Sequence, residues 1–172
     1  MPKSKHVQES LTTMTEMVLP NDTNTLNNLM GGRLLHWMDI CAAIAAQKHS
    51  SRIVVTASVD NVSFAEAIHL GDIVTIEAKV TRAFNSSMEV SIKVSAQNIS
   101  AGGELLKTHA AFFTFVAVDQ SGRPIEVAPV IVETAEEQEL YQSALRRRQL
   151  RLVLAGRLKP ADATELKNFL NQ

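Results

Sequence analysis

An α+β fold, with an antiparallel sheet curled around one long helix, is the class this sequence predicts, and three observations predict it. Residues 31–49 are an uninterrupted run rich in good helix formers and free of proline. Four segments after it read as strands, two of them in clean apolar/polar alternation. Two of these strands are joined by Phe84-Asn85-Ser86-Ser87, short enough for an antiparallel hairpin. A helix and a sheet that each carry apolar surface must bury it against one another.

The elements follow in order. Residues 8–19, with their Thr, Met, Leu and Val, read as an opening strand, and residues 20–28 as a polar loop whose Asn and Asp side chains favour turns. After the helix, Ile53, Val55, Ala57 and Val59 alternate with polar partners. The apolar phase then shifts to Val62 and Phe64, which predicts a bulge near Asp60-Asn61. Val74, Ile76, Ala78 and Val80 form one face of the next strand, and Met88, Val90, Ile92, Val94 and Ala96 one face of its hairpin mate. The last strand, residues 105–118, is apolar on both faces and belongs in the middle of a sheet or against a partner subunit. From Thr134 the chain is helical, opened by a Thr134/Glu137 capping box. Gly156 is a stop for that helix and Pro160 a start for a short final one. With no repeat or linker, residues 1–133 read as a core domain and residues 134–172 as a helical extension packed on it.

Composition sets outer limits. The chain has 172 residues, 45% of them hydrophobic, enough for one substantial core. Seventeen basic and 18 acidic side chains leave a formal charge of -1, so there is no overall field to attract nucleic acid or an acidic membrane. Any anionic ligand must be held by a local basic cluster. The single cysteine, Cys41, allows no internal disulfide and no Cys-rich metal cage. The polar N-terminus lacks a signal core and no apolar stretch is long enough to cross a bilayer, which makes a cytoplasmic protein the expectation.

The long helix carries the chemical anomaly. Between residues 34 and 46 the only formally charged side chain is Asp39, on a helix apolar nearly all round and therefore expected to be buried. A carboxylate there is costly unless paired or hydrogen-bonded. It is either a fold-specifying group, bonded to a loop or to Arg33, or a general base whose desolvation favours taking a proton from water. Gly31-Gly32 opens the same helix, where first-turn amides and the helix dipole can hold a developing oxyanion. Gly32 and Asp39 are seven residues apart, about two turns along one face. His36 is either a core or interface residue or a base oriented by Asp39. The histidines show no metal spacing, so no metal is expected. No P-loop, GxGxxG or GxSxG is present, and Cys41 reads as a small buried hydrophobe.

Asn28-x-x-Gly31-Gly32 with the later Asp39, then residues 54–64, Leu70-Gly71-Asp72 and residues 85–90, resembles the hotdog-fold acyl-CoA thioesterases over roughly residues 10–155. The resemblance implies a hotdog fold, joined edge to edge into a homodimer with active sites at the interface, and a hexamer of three dimers. It implies a role in fatty acid metabolism, with acyl-CoA as substrate and coenzyme A as part of substrate and product, so that no separate cofactor is needed. By the same resemblance Asp39 activates the attacking water, Asn28 from the opposite subunit acts with it, and the Gly32 amide, beside Gly31, holds the thioester oxygen. Thr56, Ala57 and Ser58, with Asn85, Ser86, Ser87 and Met88, would line the CoA path. Arg146, Arg147 and Arg148 are either a solvated basic face or include a contact to the CoA phosphates, for which forked guanidinium groups suit. The implied reaction is hydrolysis of the thioester to a free acid and CoA. The alternatives are a hotdog protein that binds acyl-CoA without turnover and a hydratase or dehydratase on the same fold.

Overall fold

The computed structural model describes residues 2–60 and 62–171. Its elements are β1 (Lys5–His6), β2 (Thr12–Met17), α1 (Gly31–Ser50), β3 (Ile53–Asp60), β4 (Ile73–Ala83), β5 (Ser87–Gln97), β6 (Leu106–Val118), β7 (Val130–Ile131), α2 (Ala135–Leu154) and α3 (Thr164–Leu170). Five strands form one antiparallel sheet in the order β2-β4-β5-β6-β3, and β1 pairs with β7 in a small parallel ribbon. This is the α+β arrangement the alternation predicted.

Period-two patterning divides the sheet into two working faces. Val74, Ile76, Ala78 and Val80 of β4, Met88 to Ala96 at alternate positions of β5, and Ala111, Phe113 and Phe115 of β6 pack on α1 as one core. The helix contributes Leu34, Trp37, Met38, Cys41, Ala42, Ala45 and Ala46, spaced three and four apart as a single buried stripe. The other side of α1 is open: His36, Ile40 and Ile44 are exposed, so the expectation of burial all round is corrected to one buried and one apolar open face.

α2 covers the opposite face of the sheet. Thr134 caps it as expected, with Glu137 N–H donating to Thr134 Oγ1 at 3.1 Å and Glu137 Oε2 accepting from the Glu133 and Thr134 amides. The helix ends at Leu154, and Gly156 follows at φ +68°, a left-handed geometry glycine adopts without strain. Below α2 lies Glu89, only 1% exposed, gripped by Arg147 through Nε–Oε2 at 2.9 Å and Nη2–Oε1 at 2.7 Å, while Thr81 Oγ1 donates to Oε1 at 2.7 Å.

The irregularity in β3 falls at Ala57, between Thr56 and Ser58, and not near Asp60; Asn61 lies outside the described residues. The extra residue reverses the strand's parity. Thr56 is paired with Phe115 of the helix-facing row, whereas Ser58 is paired with Thr114 of the row beneath α2. One strand therefore presents Thr56 to α1 and Ser58 to α2. It is also the sheet's edge, with Ile53, Val55 and Val59 exposed.

Candidate active site

Asp39 sits on the half of α1 that looks toward β3. It is half-buried, less deeply than the sequence led us to expect, and its Oδ1 accepts the Thr56 hydroxyl at 2.7 Å. No cation is paired with it among the described residues. Arg33, the partner a purely structural role would use, instead places Nε 3.0 Å from Asp22 Oδ1. The hydroxyl holds one carboxylate oxygen and leaves the other to act. Thr56 thus orients Asp39, a role beside the place along the CoA path that the resemblance implies.

The residues before α1 form a pinned loop. Asp22 is buried; its Oδ2 accepts the Leu19 amide at 3.0 Å and its carbonyl the Met30 amide at 2.9 Å. Asn24 Oδ1 accepts the Leu26 amide at 2.9 Å and the Asn28 amide at 3.1 Å, an Asx-type staple. Asn27 closes the turn at φ 58°. Asn24, Asn28, Gly31, Phe64, Glu66 and His109 line a cleft of about 350 Å³, to which Asp39 does not contribute. A Cβ on Gly31 would stand 3.1 Å from the Phe64 ring, whereas one on Gly32 would meet nothing within 4 Å. The first intrahelical bonds are the Arg33 and Leu34 amides to the Met30 carbonyl, and no side chain among the described residues caps the helix. The Gly31 and Gly32 amides therefore have no acceptor among the described residues and carry the positive end of a 20-residue helix.

The three consecutive arginines part company. Arg147 is committed to Glu89, and Arg146 stacks on Phe169 of α3 at 3.9 Å from the ring centroid. Arg147 is thereby drawn into the fold, which narrows the expectation that at least one of the three meets CoA. Arg148 lies over the Phe84 ring at 4.4 Å with Nη1 3.4 Å from Ser87 Oγ. It lines a second cleft, again about 350 Å³, together with Ala57, Ser58, Ser86, Arg151 and Arg157. Burial and the neighbouring charges of Arg151, Arg157 and Arg82 push the Arg148 guanidinium below its usual range, the mark of a cationic cluster without enough counter-charge. Among the described residues Arg151 alone of these has a carboxylate, Asp60 at 2.8 Å. Of the hairpin residues, Ser86 and Ser87 reach this cleft. Asn85 is exposed at the turn, and the Met88 side chain is completely buried in the core, so Met88 is withdrawn as a lining side chain.

Sequence reasoning overlooked Asn24, Arg151, Arg157 and His109. Asn24 lies in the polar loop four residues before the Asn28 of the motif, and nothing local in the sequence sets it apart. The arginines were legible as a stripe, since 144, 148 and 151 share a helix face with the buried Ala144. Among the described residues no three His, Cys, Asp or Glu side chains converge as a metal site, and no helix is long and apolar enough to cross a membrane.

Comparison with known proteins accords with this geometry. Residues 26–102 match the thioesterase superfamily. An acyl-CoA thioester hydrolase of Bacillus subtilis, YkhA, is 40% identical over 146 residues, 85% of this chain and 84% of that protein. The mouse acetyl-coenzyme A thioesterase is 41% identical over 139 residues, but the chain spans only 25% of its length. Among solved structures, an apo-hexameric acyl-CoA thioesterase superposes with a TM-score of 0.85 at 41% identity, over 90% of this chain and 98% of that one. The Staphylococcus aureus acyl-CoA hydrolase in complex with butyryl-CoA, CoA and CoA disulfide gives 0.82 at 32% identity, covering 98% of this chain and 99% of that one. That hydrolase is also known with an aspartate, a threonine or an asparagine replaced by alanine. The chain therefore belongs to the hotdog-fold acyl-CoA thioester hydrolases of the thioesterase superfamily.

Proposed function

We propose that this protein hydrolyses acyl-CoA to a free acid and CoA, with Asp39 as general base. The observation that carries the reading is the Asp39 carboxylate, unpaired with any cation among the described residues and aimed by the Thr56 hydroxyl at 2.7 Å. Asp39 takes a proton from water as the water oxygen bonds to the thioester carbonyl carbon. The oxyanion that forms is met by the free amides at the start of α1, Gly32 foremost with Gly31 beside it. The C–S bond then breaks, the carbonyl re-forms, and the CoA thiolate recovers the proton from Asp39. The balance is acyl-CoA plus water to acid plus CoA, and it calls on no metal or separate cofactor.

The carbonyl is also polarised by an asparagine of the loop before α1. Asn28 is the residue the family motif suggests, but the spacing in the Staphylococcus aureus hydrolase favours Asn24. There the substituted aspartate and threonine are 17 residues apart, as are Asp39 and Thr56, and the asparagine precedes the aspartate by 15, as Asn24 precedes Asp39. The Asn24 Oδ1 is occupied by two loop amides, which leaves its amide N–H groups to donate. Asp39 and this loop belong to separate faces of one chain, and a second copy brings them together. The unpaired β3 edge with exposed Ile53, Val55 and Val59, flanked by Ile40 and Ile44, supports an edge-to-edge homodimer. The hexameric neighbour supports assembly of three such dimers. Ser58, Ser86, Ser87, Arg148 and Arg157 supply hydroxyls and positive charge for the CoA phosphates, with Ala57 beneath them.

Release of free thiol from a panel of acyl-CoAs tests the reading. Wild type releases CoA, and Asp39→Asn, which keeps shape and the Thr56 hydrogen bond, lowers kcat by about 10²–10⁴-fold. Binding of acyl-CoA without release at any chain length would overturn it in favour of a non-catalytic binder.

A further inference from the structure

His109 has no part in the mechanism above, yet it lines the same cleft as Asn24, Asn28 and Gly31. Its ring lies 5.4 Å from the Phe64 ring, centroid to centroid, and Phe64 in turn packs against Gly31. The imidazole is thus one aromatic ring removed from the helix terminus that receives the thioester. Both ring nitrogens are shielded from solvent, and neither has a hydrogen-bond partner among the described residues. A neutral imidazole offers one donor and one acceptor, and leaving both unused in a folded protein carries a desolvation penalty that a ligand can relieve.

Resting on the thioesterase reading, we infer that His109 is a specificity-determining residue that hydrogen-bonds an oxygen substituent on the acyl chain, so that the site prefers a short hydroxyacyl or oxoacyl group to the plain alkyl group of the same length. Two features of the cleft narrow the class. Its wall combines the apolar side chains of Leu29, Leu34, Phe64 and Ile68 with the polar groups of Asn24, Asn28 and Glu66, and its volume suits a short chain. Burial pushes the His109 imidazole below its ordinary range, opposed by the Glu66 carboxylate, so near neutral pH the ring is uncharged beside one negative group. That pairing welcomes a hydroxyl or keto oxygen and repels a terminal carboxylate, which excludes dicarboxylic acyl groups.

The test compares kcat/KM for 3-hydroxybutyryl-CoA and butyryl-CoA in wild type, His109→Leu and His109→Gln, each checked by thermal melting. Wild type should favour the hydroxyacyl substrate by about tenfold. His109→Leu should bring the two within about threefold, the larger loss of kcat/KM falling on the hydroxyacyl substrate, and it should melt no lower than wild type, since an apolar side chain replaces an unsatisfied polar one. His109→Gln, which retains a donor and an acceptor, should keep part of the preference. No preference in wild type, a preference undiminished in His109→Leu, or an equal loss on both substrates would overturn the assignment while leaving the hydrolase reading intact. Absence of thiol release from both substrates in wild type would overturn both.

Discussion

Replacing Arg147, Arg148 and Arg146 one at a time separates three roles held by adjacent residues. Arg147→Ala leaves Glu89 buried at 1% side-chain exposure with, among the described residues, only the Thr81 hydroxyl for company. Removing one partner of a buried ion pair costs about 3–5 kcal/mol, and Arg147 also loses its bonds to Ser143 Oγ and the Leu140 carbonyl and its place over Phe112. At roughly 2–4 °C per kcal/mol for a chain of this size, the melting temperature should fall by roughly 10 °C. The Glu89→Leu/Arg147→Met double variant, which removes both charges, should recover most of that loss. Arg148→Ala should melt close to wild type but raise KM for acyl-CoA by about 10–100-fold, the worth of one charge-assisted hydrogen bond to phosphate. Arg146→Ala should do little to either. Differential scanning fluorimetry beside a thiol-release assay reads all three. If Arg147→Ala melts like wild type, or if its KM rises as far as that of Arg148→Ala, the division of labour described here is wrong.

Three further outcomes follow from the site. Thr56→Val keeps the shape of β3 but frees the Asp39 carboxylate, and kcat should drop about tenfold with KM nearly unchanged; a KM effect alone would return Thr56 to substrate binding. Gly32→Ala meets no neighbour within the chain, so it should fold normally yet lose turnover through crowding at the thioester, whereas Gly31→Ala, 3.1 Å from Phe64, should also lower the melting temperature. His49 is buried with Nε2 2.7 Å from the Ala128 carbonyl, and burial lowers its proton affinity from the ordinary value of 6.5. The unfolded chain then binds the proton more readily. Stability is complete above that value and falls as pH drops below it, by at most about 1.4 kcal/mol per pH unit, and His49→Gln should flatten that acid limb in a pH series of melting curves.

How much of this was legible in the sequence depends on how local each cause is. The boundaries of α1, the β4–β5 hairpin and the Thr134/Glu137 cap rest on periodicity and neighbouring residues, and the alternation that placed Val74 and Met88 inward is the alternation of the core. The bulge was visible only as a change of phase. Apolar residues continue through Val55, Ala57 and Val59 on both sides of Ala57, so the pattern could not show which residue was extra. That one position decides whether Thr56 meets Asp39. The arginines failed for a similar reason: the rotation of α2 over the sheet, set by Ala144 and Glu137 packing, turns Arg147 down onto Glu89 and leaves Arg148 at the cleft. The apolar open face of α1 misled in a useful way, because Ile40 and Ile44 are unburied in one chain, as the proposed homodimer requires.

Subunit complementation tests the central claim most directly. Asp39→Asn and Asn24→Asp each disable one half of a shared site, the latter keeping the Oδ1 acceptor that staples the loop. Refolded together and assayed for thiol release from acyl-CoA, the two inactive variants should regain about a quarter of wild-type activity, since half the dimers are mixed and each mixed dimer has one intact site. A mixture no more active than either variant alone would contradict a site in which Asp39 of one subunit works with the loop of the other.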